Sequence, residues 1–244
     1  MSSTPVDGTA IILAGGFGTR IQHLYPELPK PMIPVAGRPW LDWILLWLKG
    51  EGIKRAVLAT GYKGEVVENY YQTNPIHDLR VTVSRESEPL GTAGALAAAA
   101  VSVPEADLLT VLNGDSLAIT HLATQIADFA GSSLPAALVA VSVVDCTRYG
   151  RVETDATGRL RRFREKATGS GLINAGIYFF RKKIITGFSA HRPLSLESEV
   201  FPELLRANTG IRVFSCDAPF LDIGTPSSLN YADSFIRSNF PEKR

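Results

Sequence analysis

The sequence predicts an α/β fold, in which helices flank a Rossmann-like, mainly parallel but mixed sheet that carries a small antiparallel extension. Three observations lead to this fold class. In the first half, short β-branched runs alternate with helix-like patterns, as right-handed crossovers between parallel strands require. These runs are nearly continuous in apolar residues, which is typical of strands buried on both faces. From about Ala136, strands follow one another with little helix between them, which indicates antiparallel pairing.

The elements of the first half alternate regularly. The strand-like runs are TAIIL, RAVLAT, RVTVSRE and LLTVLNGD. The helix-like segments between them are WLDWILLWLKGEG, EVVENYYQ and GALAAAAVSV. Trp40, Trp43 and Trp47 recur at helical spacing in the first of these helices, which favours packing into a core over the alternative of an interface with a structural partner.

The second half contains the strand-like runs AALVAVSVV, RYGRVETD, RLRRFREK and GLINAGIYFF. Asp155, Thr157 and Gly158 predict a hairpin turn between the second and the third of these runs. Two helices are predicted, over ESEVFPELLRAN and PSSLNYADSFIRSNF, and Thr225 with Pro226 supplies an N-cap and first-turn pair for the second. No linker separates two domains, so we expect one domain over residues 1–244.

The composition is that of an ordinary globular protein, with 45% hydrophobic and 20% charged residues. Lys and Arg total 25 against 24 acids, so the net charge of +1 offers no broad positive field, and we expect neither nucleic acid nor a membrane as a partner. The first residues, MSSTPVDGT, lack the pattern of a secretory leader. Cys146 and Cys216 lie far apart without CxxC spacing, which favours a reducing compartment and hence the cytoplasm.

A glycine-rich stretch follows the first strand, where an open α/β sheet typically binds its ligand. Gly15, Gly16 and Gly18 allow backbone N–H groups to approach a phosphate closely. The dinucleotide fingerprint G-x-G-x-x-G is not met, because Ile21 stands at the third glycine position and proline-rich chain replaces the expected helix. A Walker loop is also excluded, since Gly-Lys-Ser/Thr is missing. Hydride transfer and P-loop hydrolysis are therefore disfavoured.

Two cations follow this glycine turn. Arg20 comes directly after it, and Lys30 lies between prolines in LPKPMIPVAGRP. Because prolines restrict the backbone, Lys30 loses little conformational freedom when its ammonium is held in one place. Two fixed cations over a glycine turn suit a polyphosphate, and they suit transfer chemistry in which charge builds in the transition state. On the alternative interpretation, the stretch is a glycine turn with solvated charges.

LAGGFGTR followed by PKPMIPVAGRP resembles the signature of the sugar-1-phosphate nucleotidyltransferases, and further similar stretches extend over nearly the whole chain. The resemblance implies a nucleotidyltransferase fold of GT-A-like type. It also implies an enzyme that joins a nucleoside triphosphate to a sugar 1-phosphate and releases pyrophosphate. About residues 1–135 would form the nucleotide-binding half, and about residues 136–244 the sugar-phosphate-binding half.

The resemblance implies roles for individual residues of the first half. EPLGTAGAL is similar to the family's segment along the nucleobase, and VLNGD ends a buried strand at the expected functional edge. The nucleotide-binding residues that it implies are Leu13, Ala14, Gly15, Gly16, Gly18, Thr19, Arg20, Glu88, Pro89, Gly91, Thr92, Asn113 and Gly114. The catalytic residues that it implies are Arg20, Lys30, Asp115 and Lys166.

Magnesium is the cofactor that the resemblance implies. Mg²⁺ prefers oxygen ligands and typically takes one or two carboxylates together with substrate phosphates and water. Asp115 in VLNGD and Asp222 in FLDIGTP resemble the family's metal ligands. Taken alone, Asp115 would be a solvent-facing turn acid, and Asp222 a capping or surface acid.

RYGRVE, REK and LINAGIYFF resemble the parts that bind the sugar phosphate. Gly150 would allow close backbone approach, Glu165 would accept hydrogen bonds from sugar hydroxyls, and Lys166 would hold the 1-phosphate. Asn174 and Gly176 resemble the sugar-facing turn of the next strand. As an alternative, Glu165 and Lys166 would be an exposed ion pair of little energetic worth.

EPLGTAGAL and SGLINAGIYFF look most like the guanylyltransferases, in particular those that use D-glycero-α-D-manno-heptose 1-phosphate. The expected product is GDP-heptose, a precursor of lipopolysaccharide, capsule or S-layer glycans. Mannose 1-phosphate guanylyltransferases are close behind, and enzymes that use UTP or dTTP remain alternatives. A catalytically silent subunit that binds a nucleotide sugar is an alternative of another class. The expected partners are small-molecule substrates, and a homo-oligomer stays open.

Overall fold

The computed structural model describes residues 8–164, 167–189 and 192–241. Its strands are β1 (Gly8–Leu13), β2 (Pro34–Val35), β3 (Arg38–Pro39), β4 (Ile53–Thr60), β5 (Arg80–Arg85), β6 (Leu108–Asn113), β7 (Ser116–Ala118), β8 (Ala136–Val143), β9 (Arg151–Thr154), β10 (Leu160–Arg164), β11 (Gly171–Arg181), β12 (Ile211–Cys216) and β13 (Phe220–Asp222). Its helices are α1 (Trp40–Gly50), α2 (Gly64–Thr73), α3 (Gly91–Ala100), α4 (Leu122–Ala130), α5 (Lys182–Ile185), α6 (Phe201–Arg206) and α7 (Pro226–Asn239).

Nine of the described strands form one mixed sheet, in the order β10-β9-β11-β6-β1-β4-β5, with β8 paired to β11 and β12 to β8. β1 runs parallel to β4 and β6, and β4 runs parallel to β5, as the alternation of strands and helices predicts. β11 runs antiparallel to β6 and β8, and β9 and β10 form an antiparallel hairpin. The predicted α/β fold with a mainly parallel, mixed sheet and an antiparallel extension is confirmed.

Helices cover both faces of this sheet. α1, α2, α4 and α7 pack on one face, where Trp40 and Phe129 are fully buried. α3, α5 and α6 pack on the other face, around Leu96 and Phe201. Because both faces are covered, a ligand has access mainly at the ends of the strands. In the part of the chain that the structure describes, no helix combines the length and the apolar character of a membrane span.

The tryptophans of α1 serve the core, which is the interpretation that the sequence favours. Trp40 is fully buried and Trp47 nearly so, while Trp43 is half-buried. The indole N–H of Trp43 donates a hydrogen bond to the carbonyl oxygen of Val35 at 2.9 Å. This bond ties α1 to the short β2–β3 hairpin that follows the proline-rich stretch.

One of the two later helices differs from the prediction. The sequence predicts a single helix over ESEVFPELLRAN, whereas the structure has a π-helical turn at Leu196–Val200 followed by α6. Pro202 lies in the first turn of α6 and has no backbone N–H, so the α-helical hydrogen bonds restart there. Upstream of it, Val200 N donates to Ser195 O, five residues back, at 3.0 Å. α7 begins as predicted, with a capping box at Thr225.

The hairpin turn between β9 and β10 also follows the prediction. The carboxylate of Asp155 accepts a hydrogen bond from Thr157 N at 2.8 Å. Gly158 has a φ of +76°, a conformation that glycine adopts without strain. The hairpin therefore has the turn chemistry that its sequence indicates.

Candidate active site

A cavity of about 970 Å³ opens at the carboxyl ends of β1, β4, β5 and β6. This is the sheet edge at which open α/β folds bind ligands. The cavity is lined by all the residues that the sequence assigned to nucleotide binding, namely Leu13, Ala14, Gly15, Gly16, Gly18, Thr19, Arg20, Glu88, Pro89, Gly91, Thr92, Asn113 and Gly114. Lys30 and Asp115 line it as well.

Residues 15–29 form an irregular loop along this cavity, which we call the Arg20 loop. Gly18 has a φ of +62°, and a Cβ at this position would lie only 2.9 Å from the Cβ of Lys30. A Cβ at Gly15 would lie 2.7 Å from the Oε1 atom of Glu86. Glycines at these two positions therefore let the loop pack closely against both side chains.

EPLGTAGAL enters the same cavity at the start of α3. Gly91 has a φ of +67°, and a Cβ there would lie 2.7 Å from the carbonyl oxygen of Leu194. Ala93 N donates a hydrogen bond to that oxygen at 2.8 Å, and Thr92 Oγ1 accepts one from Leu196 N at 2.8 Å. The segment is thus anchored to a stretch of chain about 100 residues further along.

Lys30 lies between two carboxylates. Its Nζ atom is 2.5 Å from Asp115 Oδ2 and 3.6 Å from Asp222 Oδ1. β7 and β13 hold these acids side by side, since Ile223 N donates to the carbonyl oxygen of Asp115 at 3.0 Å and Ser116 pairs with Asp222 across the strands. Only 8% of Lys30 is exposed, so its buried ammonium depends on both carboxylates for compensation.

The surroundings of Asp222 raise the pKa of its carboxyl above the usual range. Burial contributes most, and the neighbouring charge of Asp115 adds to it. Lys30, a hydrogen bond of 2.5 Å from Gly224 N, and Arg20 all act in the opposite direction. Two acids that repel each other in a partly buried place favour a further cation.

The acid pair fits a divalent ion that prefers oxygen ligands, because the only ligand atoms that the side chains of Asp115 and Asp222 provide are carboxylate oxygens. Among the described residues, no three or more His, Cys, Asp or Glu side chains gather as a set of metal ligands. An ion at this place would therefore take its remaining ligands from substrate and water. That arrangement suits Mg²⁺ and not a structural zinc ion.

Arg20 is exposed at the cavity, in a turn that two hydrogen bonds close. Ile21 N and Gln22 N both donate to the carbonyl oxygen of Gly18 at 3.0 Å. The charge of Arg20 reaches the acid pair, because it lowers the pKa of Asp222. The structure therefore brings Arg20 into the same site as the two acids and the buried lysine.

A second cavity, of about 770 Å³, shares no lining residue with the first. Two of the residues that the sequence assigned to the sugar phosphate, Gly150 and Asn174, line it. The other lining residues are Thr147, Arg148, Tyr149, Arg162, Phe163, Glu197, Ser198, Pro202, Leu205 and Arg206. Glu165 and Lys166, the predicted contacts of sugar and 1-phosphate, lie outside the described residues.

Gly176, also assigned to the sugar phosphate, takes another position. It does not line the second cavity, and its φ of +70° turns β11 beside the first cavity. A Cβ there would lie 2.8 Å from Asn113 Nδ2 and 2.9 Å from Ser116 Oγ. The structure thus shows that Gly176 allows close packing beside the first cavity, and its assignment to the sugar phosphate stays a prediction.

The segment that carries Asp222 contacts residues of the second cavity. Tyr149 of the second cavity packs edge-on against Phe220, the first residue of β13, with ring centroids 5.6 Å apart. Burial raises the pKa of Tyr149, and the charge of Asp222 raises it further. Arg148 Nη2 donates to Thr225 Oγ1 at 3.1 Å. Two residues of the second cavity thus border the segment that carries Asp222.

A chain of side-chain hydrogen bonds also connects the cavities. Thr92 Oγ1 donates to Glu197 Oε2 at 3.2 Å, and the hydroxyl of Tyr178 donates to Glu197 Oε1 at 2.6 Å. Asn174 Nδ2 donates to the same hydroxyl at 2.8 Å. Burial and the charge of Glu197 raise the pKa of Tyr178, so its hydroxyl stays protonated. Thr92 lines the first cavity, whereas Asn174 and Glu197 line the second.

Sequence reasoning missed Glu86 and Glu197. Glu86 lines the first cavity, accepts a hydrogen bond from Leu90 N at 2.9 Å, and has a pKa that burial raises. A signal for it was present, since it directly follows β5 at the carboxyl edge of the sheet. Glu197 carries no such local signal, because its partner Thr92 is 105 residues away in the chain.

Comparisons with known proteins agree with this geometry. The family described as nucleotidyl transferase matches residues 9–239. A D-glycero-alpha-D-manno-heptose 1-phosphate guanylyltransferase from Aneurinibacillus thermoaerophilus is 35% identical over 229 residues, which cover 93% of this chain and 98% of the relative. A mannose-1-phosphate guanylyltransferase from Mycobacterium tuberculosis is 37% identical over 98% of this chain and 65% of its own length.

A solved structure is also similar to this chain over nearly its whole length. The crystal structure of HddC from Yersinia pseudotuberculosis complexed with GMP-PN superposes with a TM-score of 0.80 at 30% sequence identity. The match covers 93% of this chain and 98% of that one.

Proposed function

Because the chain belongs to the nucleotidyl transferase family, we propose that it transfers GMP from GTP to D-glycero-α-D-manno-heptose 1-phosphate, forming GDP-heptose and releasing pyrophosphate. One observation carries the proposal. Lys30, Asp115 and Asp222 stand together at the first cavity, and the segment that carries Asp222 contacts Arg148 and Tyr149 of the second cavity. Such a place lets two anionic phosphates approach each other.

In the proposed reaction, a phosphate oxygen of the sugar 1-phosphate attacks the α-phosphorus of GTP in line. A new P–O bond forms, and the bond between the α-phosphorus and the bridging oxygen of the leaving pyrophosphate breaks. The protein supplies position and charge and no nucleophile. Arg20 and Lys30 offset the negative charge that builds on the phosphates, and Lys166 holds the sugar phosphate as the family resemblance implies.

Asp115 and Asp222 would hold the magnesium ion. When bound, the ion neutralises phosphate charge and polarises the α-phosphate. Lys30 orients both carboxylates before substrates arrive, since it contacts each of them. The hydrogen bond from Gly224 N to Asp222 fixes one oxygen further.

Glu86 supports the choice of guanine. Guanine presents an N1–H and an N2–H₂ donor on one edge, and a carboxylate accepts both. Glu86 is half-buried on the cavity wall, and the bond from Leu90 N holds its Oε2 atom in place. Uracil and thymine lack this pair of donors, so an ionised Glu86 discriminates against UTP and dTTP.

The two halves of the chain divide the work in this proposal. Residues 1–135 bind the nucleotide, and residues 136–244 bind the sugar phosphate through Gly150, Asn174 and Glu165.

Mannose 1-phosphate is the second candidate substrate, which the mannose-1-phosphate guanylyltransferase relative at 37% identity favours. Cys146 and Cys216 are both free thiols, so we place the reaction in the reducing cytoplasm, where it supplies a precursor for surface glycans.

A substrate panel tests the proposal. Pyrophosphate release is measured for GTP, ATP, UTP and dTTP, each with heptose 1-phosphate and mannose 1-phosphate, with and without Mg²⁺. We expect turnover with GTP and heptose 1-phosphate that requires Mg²⁺. In Glu86→Gln, the preference for GTP should fall by about tenfold, because one acceptor oxygen becomes a donor. Turnover with UTP or dTTP but not with GTP would contradict the assignment of a guanylyltransferase. The absence of turnover with every pair of substrates would contradict the proposal that the protein is an enzyme of this class.

A further inference from the structure

We propose that Tyr62 and Lys63, in the turn between β4 and α2, form a clasp that holds the Arg20 loop in place and are positioning residues for the transfer reaction. The inference rests on the catalytic role proposed above for Arg20. Neither residue belongs to the set that sequence reasoning assigned to the site. The clasp is defined here as the side chains of Tyr62 and Lys63 together with the backbone N–H of Tyr62.

The Arg20 loop has little packing of its own. Within residues 15–29, Ile21 and Pro29 are the buried residues, and Arg20 itself is exposed. A loop that buries so little apolar surface opens easily unless other contacts hold it. The guanidinium of Arg20 has to be in position before reaction if it is to offset charge in the transition state.

The clasp grips the loop on the carboxyl-terminal side of Arg20. Gln22 Nε2 donates a hydrogen bond to the Tyr62 hydroxyl at 2.6 Å. Lys63 Nζ donates to the carbonyl oxygen of Pro26 at 2.6 Å and forms an ion pair with Glu27 at 3.3 Å. Gln22, Pro26 and Glu27 of the loop are thus held by two neighbouring residues.

The clasp also grips the amino-terminal side. Tyr62 N donates to the carbonyl oxygen of Gly15 at 3.2 Å. The rings of Tyr62 and Phe17 lie 5.2 Å apart, although Phe17 is 51% exposed. Because Gln22 N closes its turn on Gly18 O, contacts at Phe17 and Gln22 bracket the turn that carries Arg20.

The backbone of Lys63 adds an independent observation. Its φ is +51° and its ψ is 36°, a left-handed conformation that a glycine would adopt without strain. A lysine at such a position is favoured only if the contacts of its side chain stabilise the protein by more than the backbone strain destabilises it. Here the ammonium reaches Pro26 and Glu27 and also lies 5.8 Å from the centre of the Tyr62 ring.

Kinetics test the clasp with Tyr62→Phe and Lys63→Met, using GTP and heptose 1-phosphate as substrates. We expect kcat to fall about fivefold in Tyr62→Phe and about tenfold in Lys63→Met, with less than about twofold change in KM for GTP. Lys63→Arg, which keeps the charge and the donors, should regain most of the rate. Lys54→Met removes an exposed lysine of β4 and should leave kcat unchanged.

A double-mutant cycle with Arg20→Ala separates positioning from general damage. If the clasp acts through Arg20, Tyr62→Phe and Lys63→Met cause no further loss of kcat once Arg20 is removed. Losses that multiply with that of Arg20→Ala would overturn the inference. Unchanged kcat in both clasp variants would overturn it too.

Hydrogen–deuterium exchange gives a readout that does not depend on turnover. Amides of residues 16–28 should exchange at least about threefold faster in both clasp variants, while amides of β1 and β6 exchange as in the wild type. Wild-type exchange in that loop would overturn the clasp even in an active enzyme. If Arg20→Ala alone kept full activity, the catalytic role of Arg20 would fail, and the exchange data would still decide whether the clasp exists.

Discussion

At the scale of single residues, the site consists of charges that stabilise one another. A buried lysine without partners would be costly, and Lys30 has Asp115 and Asp222 within 4 Å. Burial raises the pKa of Asp222, and the lysine opposes that shift. Removal of any one of the three groups therefore changes the electrostatic environment of the other two.

Lys30→Met keeps the length of the side chain and removes its charge. We expect kcat to fall by about 10²–10³, because a preorganised cation is lost from the developing phosphate charge. KM for GTP should change less than about threefold, since many other groups line the first cavity. Steady-state kinetics measure both constants.

Lys30→Arg serves as the control for this variant, because it keeps the positive charge between the acids. Circular dichroism and thermal unfolding show whether each variant is folded. Full turnover of a folded Lys30→Met enzyme would remove Lys30 from the mechanism.

Glu86 provides a prediction about pH. Burial raises the pKa of the Glu86 carboxyl in the folded protein above its value in the unfolded chain. The stability that Glu86 contributes is therefore fully present below the unfolded-state pKa. That contribution is lost as the pH rises through the folded-state pKa. At neutral pH the ionised carboxylate thus costs stability. Glu86→Gln, which stays neutral and still accepts from Leu90 N, should be more stable than the wild type at neutral pH. Urea unfolding measures the difference.

The difference between Glu86→Gln and the wild type should shrink as the pH falls, because protonation of Glu86 removes its buried charge. Glu88→Gln, an exposed neighbour on the same segment, is the matched control and should show a smaller gain at neutral pH. A Glu86→Gln protein that is less stable than the wild type at neutral pH would contradict the desolvation argument.

At the scale of elements, strand ends and turn glycines could be predicted from sequence, whereas long-range anchors could not. The run LLTVLNGD locates β6 and its acid, because a buried parallel strand reads as continuous apolar sequence. The π-helical turn at Leu196–Val200 before α6 was not predicted, although Pro202 was visible in the sequence. Glycine at position 91 is explained by its φ of +67° and by the nearby carbonyl oxygen of Leu194, and no local pattern reveals either.

Gly91→Ala tests this anchoring. The φ of +67° strains any side chain, and a Cβ would lie 2.7 Å from the carbonyl oxygen of Leu194. We expect the free energy of unfolding to fall by about 1–3 kcal/mol. Gly50→Ala, in a helical position with no atom within 4 Å of the added Cβ, should not lose stability. Equal stability of Gly91→Ala and the wild type in urea unfolding would contradict the anchoring.

At the scale of the whole molecule, the end of β6 in the main sheet and the separate two-stranded sheet β7–β13 bring two distant parts of the chain together. β6 leads to Asp115 and β13 carries Asp222, and β7 joins them through backbone hydrogen bonds. The sequence could predict both acids by resemblance, yet their contact with Lys30 depends on side-chain packing. The chain from Thr92 through Glu197 to Tyr178 could not be predicted, because its members are far apart in sequence and each is ordinary alone.

The central claim is that both substrates occupy this one site together and that the sugar phosphate itself attacks the nucleotide. The stereochemistry at the α-phosphorus tests it most directly, with GTP that carries sulfur at one α-oxygen and with heptose 1-phosphate as acceptor. A single in-line displacement predicts inversion of configuration in the GDP-heptose analogue. Retention would require two displacements through a covalent enzyme intermediate, and would contradict the account.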